Sequence, residues 1–121
     1  MTPEEISKLT NQELNELIAV KRGFHKEKNE LWYRDQLDSL KTFYCQSFAP
    51  NYCGSWKLSG ELLEEMPVET SLINFEDDTT GKQFWECKIT NLLTGNVVLF
   101  AGNTSPSRAI SEAWYLMECA T

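Results

Sequence analysis

The last twenty residues constrain the fold most, because they join a turn directly to a capped helix. Ser105 is a good N-cap, and Pro106 suits the first helical position. Apolar residues then recur at helical spacing: Ala109, Ile110, Ala113, Trp114 and Met117. The segment therefore predicts an amphipathic C-terminal helix that closes a packed domain.

Two further helices are predicted upstream. Residues 2–22 start with Thr2 and Pro3 and stop at Gly23, and residues 10 and 11 could mark a break with a second cap. Residues 55–66 start with Ser55 as a cap and stop before Pro67. Both segments carry apolar residues on one side, as helices that cover a sheet do.

Three strand-like runs follow, at residues 70–75, 83–90 and 97–101, and turn sequences at 77–82 and 91–96 join them as antiparallel hairpins. In the clearest run, Trp85, Cys87 and Ile89 share one face. Residues 36–44 have weak helical spacing, and residues 47–54 are typical of a loop. We expect one α+β domain over residues 1–121. Its three-stranded or larger antiparallel sheet is sandwiched by the N-terminal, middle and C-terminal helices.

Charge and composition exclude several classes of partner. The net charge of −7 argues against binding a nucleic acid polymer, which needs a basic face. No apolar run is long enough to cross a membrane, and the start lacks the features of a signal peptide, so we expect a cytoplasmic protein. The four cysteines are then reduced thiols, and their spacing predicts neither a metal site nor a cofactor.

No pattern in the chain indicates catalysis. The hydrolase, nucleotide-loop, zinc-protease and dinucleotide motifs are missing, and the single histidine, His25, lies in a charged segment. A nucleophilic cysteine would need the support of a base. The sequence therefore predicts a protein that is not an enzyme.

The start of the C-terminal helix is the first candidate binding site. Thr104, Ser105, Ser107 and Arg108 bring hydroxyls, free amides and a cation to a helix N-terminus, which attracts phosphate. The same residues also suit a helix that simply caps itself. Trp56 and Trp32 are candidates to stack on a base, whereas Trp85 and Trp114 match core positions.

Three short motifs resemble a known family. They are the opening helix at 12–23, a Tyr-x-x-Ser-Trp sequence at 52–56, and the Ser-Pro-x-x-Ala-Ile-x-x-Ala sequence that begins at Ser105. Together they resemble the phage ABA-sandwich domain family, which includes the anti-Thoeris sponge proteins. The resemblance implies a phage anti-defence protein. It would sequester a cyclic nucleotide messenger, of the cyclic ADP-ribose type or a cyclic oligonucleotide, without cleaving it, as a homodimer or larger homo-oligomer.

The resemblance also implies roles for particular side chains. The messenger's phosphates would lie at Thr104, Ser105, Ser107 and Arg108, with further charge from Lys57 and Lys88, and Trp56 or Trp32 would stack on the base. Glu112 departs from this pattern, because it places an acid one turn beyond Arg108. The alternative is an acidic interaction protein that inhibits a host defence protein by binding it. A hydrolase acting on the messenger is the third hypothesis.

Overall fold

The computed structural model describes residues 2–34, 45–67, 69–76, 78–90, 94 and 97–120. Within these ranges it contains four helices and six strands, which confirms the predicted α+β class. The helices are α1 (Pro3–Ser7), α2 (Asn11–Lys21), α3 (Trp56–Glu64) and α4 (Pro106–Ala120). The strands are β1 (Phe24–Lys26), β2 (Trp32–Arg34), β3 (Cys45–Gln46), β4 (Thr70–Glu76), β5 (Gln83–Thr90) and β6 (Val97–Asn103).

The N-terminal segment forms two helices that are separated at the predicted break. Thr2 caps α1 and Thr10 caps α2, and each side-chain oxygen accepts the backbone N–H three residues further on. Gly23 follows α2 with a φ of +92°, which glycine adopts without a steric penalty. The chain therefore leaves the helix sharply and enters β1.

The three predicted strands form one antiparallel sheet in the order β4-β5-β6. Leu72 pairs with Cys87, and Cys87 pairs with Ala101 on the other side. Cys87 is fully buried, and Trp85 and Ile89 pack against the core, so the predicted inner face of β5 is confirmed. At the far end of β4, Ile73 and Phe75 remain about two-fifths exposed.

A second antiparallel sheet, β1-β2-β3, lies in the region that the sequence left unassigned. Its strands have only two or three residues, too few for an alternating pattern to be visible in the sequence. The weak helical spacing at 36–44 lies outside the described residues. Residues 47–51, after β3, contain neither helix nor strand and lead to a turn at 52–54, as the loop prediction required.

Helix α4 lies at the centre of the domain. It packs against β5 and β6 and also against α1, α2 and α3, so the N-terminal helices lie behind α4. Every residue from Ser107 to Leu116 is buried. The sequence predicted an amphipathic helix, but the polar side chains of α4 also face the interior. The side chains that are fully buried and largest are Tyr52, Ile6, Leu14, Ile18, Leu62 and Ile110.

Within the described ranges, no helix combines the length and the apolar character that a membrane crossing requires.

Leu62 tests this core arrangement. Leu62→Ala removes a fully buried side chain of α3 and leaves a cavity, so we expect the free energy of unfolding in urea to fall by about 2–5 kcal/mol. Val20→Ala is the matched control, because Val20 is 59% exposed, and its effect should stay within about 0.5 kcal/mol. Equal losses in the two variants would contradict the placement of α3.

Candidate functional site

Arg108, the main residue predicted to bind phosphate, is instead buried in the fold. Its Nε donates to Glu112 Oε2 at 2.7 Å and its Nη1 to Asn11 Oδ1 at 2.8 Å. Its Nη2 donates to the carbonyl oxygens of Ile6 and Leu9 at 2.9 and 2.8 Å. Arg108 is 5% exposed. The prediction for Arg108 is therefore corrected: its guanidinium is bonded within the protein and holds α4 to the N-terminal helices.

The hydroxyls at the start of α4 are also used by the protein. Ser107 is buried and accepts a hydrogen bond from Ser59 Oγ at 3.1 Å, which joins α3 to α4 and corrects its assignment as a ligand contact. Ser105 caps the helix, since its Oγ accepts from the Arg108 backbone N–H at 3.4 Å. Thr104 is exposed. For Ser105, the structure thus favours the self-capping alternative, whereas Ser107 contributes to the packing of α3 on α4.

The remaining predicted site residues do not meet at one place. Trp32 is 5% exposed, so its ring is buried and cannot stack on a base, which corrects that prediction. Trp56 is 58% exposed and makes an edge contact with Trp85 at 6.1 Å between ring centroids, and Lys57 is exposed next to it. Lys88 lies on the sheet face opposite Trp85, because alternate residues of a strand point to opposite sides.

A cavity of about 380 Å³ lies where α2, the small sheet, the following loop and α3 meet. The C-cap position of α2 supplies Arg22, and the turn at Gly23 brings Phe24 beside it. We call this space the arginine cavity. Its lining residues are Arg22, Phe24, Arg34, Gln46, Phe48, Pro50, Asn51, Tyr52, Leu58 and Glu61.

Arg22 is held rigidly at one side of the arginine cavity. Its Nη1 donates to the Tyr52 hydroxyl at 3.0 Å, and its Nη2 pairs with Glu65 at 2.6 Å. Glu65 also accepts from Trp114 Nε1 at 3.0 Å, which anchors the carboxylate to α4. Burial by itself would lower the pKa of Arg22, but Tyr52 and Glu65 together raise it, so Arg22 stays charged. Glu61 is a looser partner at 3.7 Å.

Arg34 is the more available cation of the arginine cavity. Its guanidinium carbon lies 5.3 Å from the centre of the Phe24 ring, a cation–π contact. Among the described residues, no carboxylate lies within ion-pair distance of Arg34. Phe48, which is 58% exposed, lines the same cavity. A guanidinium without a described carboxylate partner, beside an exposed phenyl ring, suits a ligand with both an anionic and an aromatic part.

Sequence reasoning missed this site because its residues come from six separate stretches: the C-cap of α2, the strands β1, β2 and β3, the loop after β3, and α3. Tyr52 lies in the motif before α3, and Arg34 follows Trp32, but their spacing in the chain does not show that they meet. The position of Arg34 in the cavity depends on the β1–β2 hairpin, which pairs Phe24 with Arg34. Aromatic residues close to Arg22 and Arg34 in the sequence were the only signal that pointed to it.

Catalysis and metal binding place specific demands on the two buried thiols and on the possible metal ligands among the described residues. Burial raises the pKa of the Cys53 thiol to about 11, and burial raises the pKa of the Cys87 thiol to about 11 as well. Both thiols are therefore protonated near neutral pH and are poor nucleophiles. Within the described ranges, no cluster of three or more His, Cys, Asp or Glu side chains is arranged to hold a metal ion.

Comparisons with known proteins do not identify a relative: no family model, curated protein or solved structure matches the chain.

Arg108 and Glu112 test the structural role of the buried ion pair. Arg108→Met leaves the Glu112 carboxylate buried without its cation. We therefore expect the free energy of unfolding, measured in urea, to fall by about 3–5 kcal/mol. The double variant Arg108→Met/Glu112→Leu removes that unpaired charge and should recover part of the loss. An Arg108→Met protein as stable as the wild type would contradict this role.

The thiols give a second test, by alkylation with iodoacetamide at pH 8. The raised pKa keeps Cys53 and Cys87 in the thiol form until the pH approaches 11, so roughly one molecule in a thousand carries the thiolate at pH 8. Peptide mass spectrometry should find exposed Cys119 labelled in the native protein, with Cys53 and Cys87 labelled only in urea. Native labelling of Cys53 as fast as that of Cys119 would contradict its burial.

Proposed function

We propose that this protein is a non-catalytic binding protein that sequesters a small phosphorylated nucleotide in the arginine cavity. The ligand class is a cyclic nucleotide messenger, of the cyclic ADP-ribose type or a cyclic oligonucleotide. The observation that carries the proposal is Arg34, a guanidinium with no described carboxylate partner in a cavity of about 380 Å³. A guanidinium binds phosphate through charge-assisted hydrogen bonds.

The size and lining of the arginine cavity support a ligand of this class. Its volume falls within the usual range for small-molecule sites. The rings of Phe24, Phe48 and Tyr52 provide apolar walls, while Arg22 and Arg34 provide charge on the same side of the domain. A nucleotide combines an anionic phosphate with an aromatic base and so matches both features.

Glu61 limits how much negative charge the cavity accepts. Its carboxylate lines the cavity and lies 3.7 Å from Arg22, so it competes with a ligand phosphate for that cation. Arg22 already pairs with Glu65 at 2.6 Å. Arg34 therefore has the larger share of phosphate binding in this proposal, and Arg22 orients Tyr52.

The low reactivity of the two buried thiols is compatible with sequestration, which needs no nucleophile. A sponge has only to hold its ligand, and the protonated thiols of Cys53 and Cys87 fit that role. In this proposal the protein acts in the bacterial cytoplasm as a phage-encoded anti-defence factor. Its homo-oligomeric state, dimer or larger, belongs to the same proposal.

A second candidate is an acidic interaction protein that binds a host defence protein. The observation in its favour is the exposure of Trp56, at 58%, on a chain with a net charge of −7. Binding of that kind weakens steeply with salt and retains no small molecule. The two candidates are separated by whether a nucleotide is recovered from the protein.

Ligand retention tests the proposed function directly. The protein is incubated with a panel of cyclic nucleotides, including cyclic ADP-ribose isomers, freed of unbound ligand, and then heated. Intact nucleotide released only after heating is expected. Arg34→Ala should weaken binding at least about tenfold in calorimetry, because it removes the charge-assisted contact to phosphate.

Lys57→Ala is the matched control, since it removes one positive charge at an exposed position outside the arginine cavity. Its dissociation constant should stay within about twofold of the wild type. Glu61→Gln should bind more tightly, because the competing carboxylate is gone. Loss of binding in Lys57→Ala but not in Arg34→Ala would move the site to the start of α3 and overturn the assignment to the arginine cavity.

A further inference from the structure

A second cavity, of about 460 Å³, adjoins the arginine cavity. The two share Phe48 and Asn51; α2 lines the amide cavity, and its C-cap residue Arg22 lines the arginine cavity. We call the second space the amide cavity, because most of its lining side chains are carboxamides. Its lining residues are Asn11, Gln12, Asn15, Phe48, Ala49 and Asn51.

The orientation of the Asn15 and Asn51 side-chain amides follows from the backbone N–H of Cys53, which can only donate a hydrogen bond. The backbone N–H of Cys53 donates to Asn15 Oδ1 at 2.9 Å, so the other end of the Asn15 amide is its NH₂ group. That group donates to Asn51 Oδ1 at 3.0 Å. The oxygen of Asn51 is therefore already used, and its NH₂ group has no acceptor among the described residues.

Asn11 is oriented by the same logic. Arg108 Nη1 has only hydrogens to offer, and it donates to Asn11 Oδ1 at 2.8 Å. Its partner must then be the amide oxygen, which leaves the NH₂ group of Asn11 without a described acceptor. At both Asn11 and Asn51, the side-chain oxygen accepts a hydrogen bond from the protein, and the NH₂ group has no described acceptor. The amide cavity thus offers fixed hydrogen-bond donors to a ligand.

We infer that the amide cavity is the base-binding part of the nucleotide site and that it selects guanine over adenine. Guanine has two adjacent acceptors, N7 and O6, whereas in adenine an NH₂ donor stands next to N7. The inference rests on the proposed function, in which the phosphate lies at Arg34, and it narrows the ligand class to cyclic oligonucleotides that contain guanine, because cyclic ADP-ribose carries adenine. An Asn side chain that binds adenine uses its oxygen and its NH₂ group together. Here those oxygens are bonded to Arg108 and Asn15, so the amides offer donors only, and the adjacent acceptors N7 and O6 of guanine match them.

Phe48 lies between the two parts of this site. It lines both cavities and is 58% exposed, so its ring can contact a base held by the amides while the phosphate stays in the arginine cavity. One nucleotide would then span both cavities along α2.

The test uses three probes with one phosphate each: GMP, AMP and ribose 5-phosphate. Calorimetry on the full chain should give GMP at least about tenfold tighter binding than ribose 5-phosphate, with AMP between the two. Asn51→Asp keeps the oxygen that accepts from Asn15 and replaces the NH₂ donor with a second oxygen. It should lower the ratio of GMP to ribose 5-phosphate affinity at least about fivefold.

Two features of the design separate base recognition from other effects. The charge added by Asn51→Asp acts equally on the phosphate of GMP and on that of ribose 5-phosphate, so its effect cancels in the ratio of the two affinities. Arg34→Ala is the matched comparison, because it should weaken both probes by a similar factor and leave the ratio unchanged. If Asn51→Asp does not fold by circular dichroism, Asn11→Asp makes the same exchange while still accepting from Arg108.

The outcomes distinguish this inference from the proposal on which it rests. A wild-type protein that binds none of the three probes, nor any cyclic nucleotide, overturns both. If GMP and ribose 5-phosphate bind equally, and their affinity ratio is unchanged in Asn51→Asp, the base site is overturned. The phosphate site in the arginine cavity is not affected by that result. AMP bound more tightly than GMP overturns the choice of base.

Discussion

The guanidinium of Arg108 joins parts of the chain that are about a hundred residues apart. It bonds Glu112 within α4, the carbonyls of Ile6 and Leu9 at and beyond the end of α1, and Asn11 at the start of α2. Carbonyls at a helix end lack partners within the helix, so a buried end needs donors from elsewhere. Because α4 also contacts the sheet and α3, this one side chain ties the N-terminal helices to the helix on which the rest of the domain packs.

The candidate site depends on that arrangement. Once Arg108 holds the start of α2, the other end of the same helix places Arg22 against Tyr52, and Glu65 connects Arg22 to Trp114 of α4. Both cavities lie along α2, so the site is built on a helix that is tied to the core at each end. Rigid support of this kind keeps binding groups in place before a ligand arrives.

Three arginines in the described part of the chain have three different environments. Arg108 is buried and donates four hydrogen bonds, Arg22 is bonded but lines a cavity, and Arg34 lines the same cavity and contacts the Phe24 ring. The sequence singled out Arg108, because it stands at a capped helix start. Nothing in its neighbours along the chain shows that α1 and α2 return to cover it, so the local pattern pointed to the wrong cation.

Local chemistry was enough to predict the elements. Capping residues at Thr2, Thr10, Ser55 and Ser105, the glycine after α2, and the alternation in β5 predicted the helices and the three-stranded sheet, since each signal acts within a few residues. The small sheet, the burial of the polar side of α4, and the meeting of Arg22 with Arg34 were decided by the tertiary structure alone. Each depends on pairings between distant segments, and a polar residue looks the same in the sequence whether water or another part of the protein satisfies its hydrogen bonds.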